Sequence, residues 1–137
     1  MNLTKKQLRN LKRGQYAGQE DDLQVSCVEY FKLQYPGVRI IHIANERKCS
    51  PQFGALLKRM GVSKGVVDLF IPAWLTWIEI KVPPNKPTKE QFEFLGDMEQ
   101  LGFRTYAIYS FGEFKSVVDR INNRLSKAEG GIRVGFK

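Results

Sequence analysis

Residues 66–84 read VVDLFIPAWLTWIEIKVPP, and the alternation within this run decides the fold. Val67, Leu69 and Ile71 fall at every second position, and Ile78, Ile80 and Val82 resume the pattern after Pro72, Ala73 and Trp74. Period two is the spacing of side chains on one face of a strand. Pro83 and Pro84 lack the N–H that a continuing ladder would need, so the second strand stops there. The run therefore predicts a β-hairpin with an apolar face, and Asp68, Glu79 and Lys81 fall on the other face. A tight turn at Ala73 and Trp74 sets Asp68 directly opposite Glu79, with Cβ atoms roughly 4.5–5.5 Å apart. A slip of one residue would turn Asp68 to the opposite face.

Two carboxylates at that separation repel unless positive charge lies between them, and a divalent cation held through oxygen ligands is one solution. Lys81, beside Glu79, can then position a water or stabilise charge developing on a phosphate oxygen. The same pattern also describes an exposed charged face on which Lys81 neutralises Glu79. Spacing alone leaves both readings open.

Outward from the hairpin, Leu23, Cys27, Tyr30 and Phe31 recur at helical spacing, so a helix is predicted over 20–34, ended by Pro36 and Gly37. A β-branched run predicts a strand over 38–44, and a polar loop follows. Pro51 suits a first helical turn, and Phe53, Leu56, Leu57 and Met60 share a face, which predicts a short helix over 51–60. Thr88 caps a helix over 88–101, with Gln91 three residues on completing a capping box. A strand over 104–109 and a last helix from Ser110 to about residue 125 complete the order αβαββαβα, an α/β fold with a mixed sheet flanked by helices.

The 137 residues fit one domain, and 42% hydrophobic content with 12% aromatics is enough for a core. A net charge of +8 favours a polyanion as partner, nucleic acid ahead of an anionic membrane, because basic side chains displace counterions from phosphates. The excess is concentrated at the start: Lys5, Lys6, Arg9, Lys12 and Arg13 face no acid within residues 1–18, which suits a basic arm for nucleic acid and equally a solvated terminus that aids solubility. Arg47, Lys48, Lys58, Arg59 and Lys64 form a second basic group leading into Asp68 and suit phosphate contacts. Cys27 and Cys49 form no CxxC pair and read as reduced thiols. The start of the chain has charges without an apolar run after them, and no stretch approaches membrane-spanning length, so a soluble, cytoplasmic protein with no membrane partner is expected. His42 lies in an apolar strand and is given no catalytic role, and no nucleophilic triad can be assembled.

The run from Gly61 to Gln91 resembles the VRR-NUC nucleases of the PD-(D/E)xK superfamily, in a stand-alone phage or bacterial form. The pattern is a Gly shortly before an acidic residue and an apolar strand, then ExK on the next strand, then a Gln near a helix start. Gly65, Asp68, Glu79, Lys81 and Gln91 occupy those positions, and the proline common before the aspartate is replaced by Val67. The resemblance spans roughly 20–126. It implies a restriction-endonuclease-like fold over 19–127, with residues 1–18 as arm and 128–137 as tail.

It also implies Mg²⁺ or Mn²⁺ held by Asp68, Glu79, the Ile80 backbone carbonyl and a first-helix glutamate, with no small-molecule cofactor. The EDDLQ run offers Glu20 for that last place. Glu29 competes but lies off the buried stripe beside Ser26 and Lys32. Gln91 is expected to serve both the helix cap and the site. The implied activity is endonucleolytic hydrolysis of DNA, selective for branched forms such as the four-way Holliday junction. A non-cleaving nucleic-acid-binding module and an RNA-processing nuclease are the alternatives. Junction symmetry suggests a homodimer, with Trp74, Phe111, Phe114 or residues 132–136 supplying its apolar interface.

Overall fold

The computed structural model describes residues 5, 18–43 and 50–128. Its elements run α1 (Gln19–Gln34), β1 (Ile41–His42), α2 (Pro51–Arg59), β2 (Leu69–Ile71), a 3₁₀ turn (Pro72–Trp74), β3 (Thr76–Ile80), α3 (Lys89–Gln100), β4 (Arg104–Ile108) and α4 (Phe111–Ala128). This is the alternation that the sequence predicts. The four strands form one mixed sheet in the order β1-β2-β3-β4. β1 and β2 are antiparallel, as are β2 and β3. β4 runs parallel to β3: Arg104 N–H donates to the Leu75 carbonyl near one end, and Lys81 N–H donates to the Ile108 carbonyl near the other.

The hairpin register pairs Leu69 with Ile78, Phe70 with Trp77 and Ile71 with Thr76. Carried one pair further, that register sets Asp68 against Glu79. The connection differs from the expected two-residue turn. Pro72–Trp74 form a 3₁₀ turn that Leu75 ends in the left-handed region at φ 49°, donating its N–H to the Pro72 carbonyl at 3.0 Å. A leucine is rarely left-handed, and polar contacts hold this corner. The Trp74 carbonyl accepts both Thr76 Oγ1 at 2.9 Å and Arg104 Nη1 at 2.8 Å.

The chain divides into two compact units, each built from non-contiguous segments: 1–38, 80–85 and 108–137 in the first, 39–79 and 86–107 in the second. In the first unit α1 buries Cys27 and Phe31, and α4 buries Phe114, Val117, Val118 and Ile121, with the Phe31 and Phe114 rings edge to face. Burial pushes the Cys27 thiol up to about 12, so it is an inert core residue. Cys49 lies outside the described residues.

In the second unit Val67, Leu69, Ile71 and Ile78 are fully buried, as the alternation predicts. The opposite face is covered too, by Phe70 stacked on Trp77 with Phe94 and Phe103 edge-on around them. α3 opens with the predicted capping box between Thr88 and Gln91.

Three expectations are corrected. The first strand shrinks to Ile41–His42, both exposed, because only two residues find partners on β2. α2 is capped by Ser50 Oγ on the Phe53 N–H, yet it buries nothing, and Phe53, Leu56 and Met60 remain exposed. Trp74 and Phe114, offered as interface residues, are core. Phe111 is exposed, and 132–136 lie outside the described residues.

Candidate active site

Asp68 is held by its own backbone. Its carbonyl accepts the Ile43 N–H at 2.8 Å and faces His42 Nδ1 at 3.1 Å. A carbonyl can only accept, so the second contact requires the proton on Nδ1. The Asp68 N–H donates to Glu79 Oε1 at 3.2 Å. His42, which the sequence places in an apolar strand, is exposed and meets this segment from β1.

Glu79 is 1% exposed. That figure excludes the solvated charged face which spacing alone had left open. Burying a carboxylate costs free energy unless hydrogen bonds or a cation compensate it. Here the residue opposite in register is another acid. Asp68 and Glu79 carry the type of oxygen donor that a hard cation such as Mg²⁺ or Mn²⁺ takes, an ion that uses one or two carboxylates and keeps several waters. Among the described residues no three His, Cys, Asp or Glu side chains come together as a metal cluster.

β3 passes from one unit to the other between Glu79 and Ile80, and a second polar cluster follows in the first unit. Glu20, in the first turn of α1, accepts Asn85 Nδ2 on Oε2 at 2.8 Å, and the Val82 N–H approaches the same oxygen at 3.4 Å. Its Oε1 lies 3.9 Å from Lys81 Nζ, with the side chains 25% and 13% exposed for Glu20 and Lys81. Glu20 is thus drawn to the segment that follows the ExK motif, whereas its rival Glu29 is exposed.

Gln91 takes the capping role in full: its Oε1 accepts the Thr88 N–H at 2.9 Å, and its own N–H donates to Thr88 Oγ1 at 3.1 Å. With one bond on its oxygen taken by the cap, Gln91 still has both amide N–H groups to offer a neighbour. Beside it a groove of about 680 Å³ is lined by Lys58, Gly61–Val66, Thr88, Glu90 and Gln91. Lys58 and Lys64 are therefore placed together, while Arg59 is exposed but outside the lining. Lys5 is exposed, and Lys6, Arg9, Lys12, Arg13, Arg47 and Lys48 lie outside the described residues.

Sequence reasoning missed Asn85 and the Asp119 cluster. In the latter, Asp119 of α4 accepts Tyr30 at 2.8 Å, Tyr35 at 2.5 Å and Lys115 at 2.9 Å. Asparagine in a turn is too common to mark a site, and an aspartate on a helix face carries no sign of partners about 85 residues away.

The fold has a counterpart among solved proteins. A structure described as a VRR_NUC domain protein superimposes with a TM-score of 0.59 at 25% identity, covering 76% of this chain and 88% of that one. The likeness supports a VRR-NUC domain, the class that the Gly65 to Gln91 motif suggests. The sequence matches no family model and no curated protein. Among the described residues no helix is long and apolar enough to cross a membrane.

Proposed function

We propose that this protein is a metal-dependent endonuclease that hydrolyses phosphodiester bonds in DNA. The observation that carries the reading is the buried Glu79 on β3, register-paired with Asp68 and followed two residues later by Lys81. A structural relative described as a VRR_NUC domain protein supports it. Asp68, Glu79 and the Ile80 carbonyl are the ligands we assign to Mg²⁺ or Mn²⁺, with Glu20 acting directly or through water. Such an ion supplies acidified water and charge neutralisation at a phosphate.

The chain's own residues do the rest. Lys81 is held to 13% exposure, so its ammonium is a placed charge, able to orient the attacking water and stabilise negative charge on the phosphate. Gln91 has N–H donors for a phosphate oxygen or water. Lys58 and Lys64 line the groove beside it and suit the backbone of the strand to be cut. The N-terminal basic arm adds phosphate contacts without sequence preference.

The finer reading is a homodimer acting on branched DNA. Phe53, Leu56, Met60 (71% exposed) and Val62 supply a more credible apolar surface than the residues that proved to be core. A two-fold assembly would present two sites to a two-fold junction. Labelled duplex, four-way junction, single-stranded DNA and RNA, each incubated with Mn²⁺ or EDTA, test the assignment. Metal-dependent paired nicks on the junction are expected. Cutting confined to RNA would move the protein to RNA processing, and binding without cutting would make it a binding module. Sedimentation of wild type against Leu56→Glu should show the dimer converting to monomer.

A further inference from the structure

The polypeptide that leaves the ExK motif is poor in donors. Pro83 and Pro84 have no N–H, so from 82 to 85 only Val82 and Asn85 carry one. The Asn85 N–H closes the turn onto the Val82 carbonyl at 2.9 Å, and the Val82 N–H reaches Glu20 Oε2 only at 3.4 Å. The short contact to Glu20 is the Asn85 side chain, whose Nδ2 donates to Oε2 at 2.8 Å. With that oxygen engaged, Glu20 Oε1 is the one turned to Lys81 Nζ, at 3.9 Å.

We propose that Asn85 is a positioning residue: its amide clamps one oxygen of Glu20 and so aims the other at Lys81. The proposal rests on the nuclease reading for its catalytic consequence, but the clamp itself is a contact in the resting protein. Amide chemistry suits the task. An uncharged donor fixes the carboxylate without cancelling its charge, whereas a lysine or arginine at 85 would compete with Lys81 for it. Without the amide, Glu20 keeps a long backbone contact and a loose ion pair and is free to rotate away.

Aspartate separates this role from turn formation. Asp serves such a turn as well as Asn does, but offers an acceptor where Glu20 needs a donor. In the full-length protein, Asn85→Asp should leave the thermal midpoint within a degree or two. Its kcat on DNA should fall about tenfold, with KM changed less than twofold, as misaimed groups slow chemistry more than binding. In Glu20→Ala/Asn85→Asp the second change should cost nothing further.

Independently of activity, the Asn85 side-chain ¹⁵N–H₂ resonance of the resting protein should shift in Glu20→Ala. Wild-type kcat in Asn85→Asp, or an amide resonance indifferent to Glu20→Ala, would overturn the proposal. If the wild-type protein does not cut at all, the nuclease reading falls, while the amide resonance still decides whether the clamp exists.

Discussion

Asp119 and Glu79 are two acids placed in opposite circumstances. Asp119 is met by donors alone: the phenols of Tyr30 and Tyr35 and the ammonium of Lys115. Its partial burial works to raise its pKa, but hydrogen bonds from Tyr35, Lys115 and Tyr30 and the charge of Lys115 outweigh that and hold it below the ordinary carboxylate value. Glu79 is deeper, takes the Asp68 N–H, and has a second acid as its cross-strand neighbour. A carboxylate encircled by donors is a fastening, complete as it stands. A buried carboxylate set against another acid is, on the nuclease reading proposed above, a place for a cation, and the contrast is then one between stability and chemistry.

The largest effect that would sharpen this contrast is on cleavage. Glu79→Gln or Asp68→Asn should lower kcat by about a thousandfold or more through loss of the ion, while nucleic-acid binding in a filter assay persists or tightens. Substantial cutting by either variant at saturating Mn²⁺ would erase the distinction.

Next comes Asp119→Ala, which strands two phenols and should lower stability by about 2–3 kcal/mol in urea titration. Cleavage per folded molecule should stay near wild type. A variant as stable as the parent would show that the cluster fastens nothing.

A smaller, pH-dependent effect follows from Tyr35. Burial first, then the Asp119 hydrogen bond and charge, raise its pKa above the ordinary 10.0. The folded state therefore favours the protonated phenol. That stabilisation is complete below pH 10 and lost as pH rises through the raised value. Asp119 has the reverse sign: its folded-state pKa is lowered, so its contribution is present above its ordinary value of 3.8 and lost as pH falls below it. Unfolding midpoints should drop at both extremes, and Tyr35→Phe should flatten both limbs, because the Tyr35 phenol is itself raised by Asp119 and is one of the donors that lower Asp119.

The smallest effect concerns binding. Lys58→Ala and Lys64→Ala should each reduce the log–log salt slope of DNA affinity by about 0.9, measured by fluorescence anisotropy. An unchanged slope would remove the groove from the nucleic-acid path.

What was legible in the sequence was what has a period or a fixed offset. Alternation through Val67 to Ile71 and Ile78 to Val82 predicts the hairpin, and the register survives a turn of different shape because both connections align the same residues. The Thr88 and Gln91 offset predicts the capping box. Partnership in space was not legible. The α2 stripe looks like a core face, yet stays exposed, because a period says that a face is apolar without saying what meets it. The contacts of Asn85 with Glu20 and of Tyr35 with Asp119 join residues far apart in sequence, and neither end is unusual alone. In the proposed site, residue types were readable at Asp68, Glu79 and Lys81, whereas the clamp on Glu20 required three dimensions.

Gly65 has a mechanical consequence. It stands three residues before Asp68 at φ +82°, and a Cβ built there would lie 2.4 Å from the Glu90 backbone. The approach to the hairpin and the first turn of α3 therefore lie as close as two backbones can, with no side chain between them as a spacer. Asp68 and Gln91 ride on opposite sides of that seam. Even a methyl group at 65 would act as a wedge, prising the strand that bears the acid from the helix that bears the amide, and a change touching neither residue would alter the gap between them.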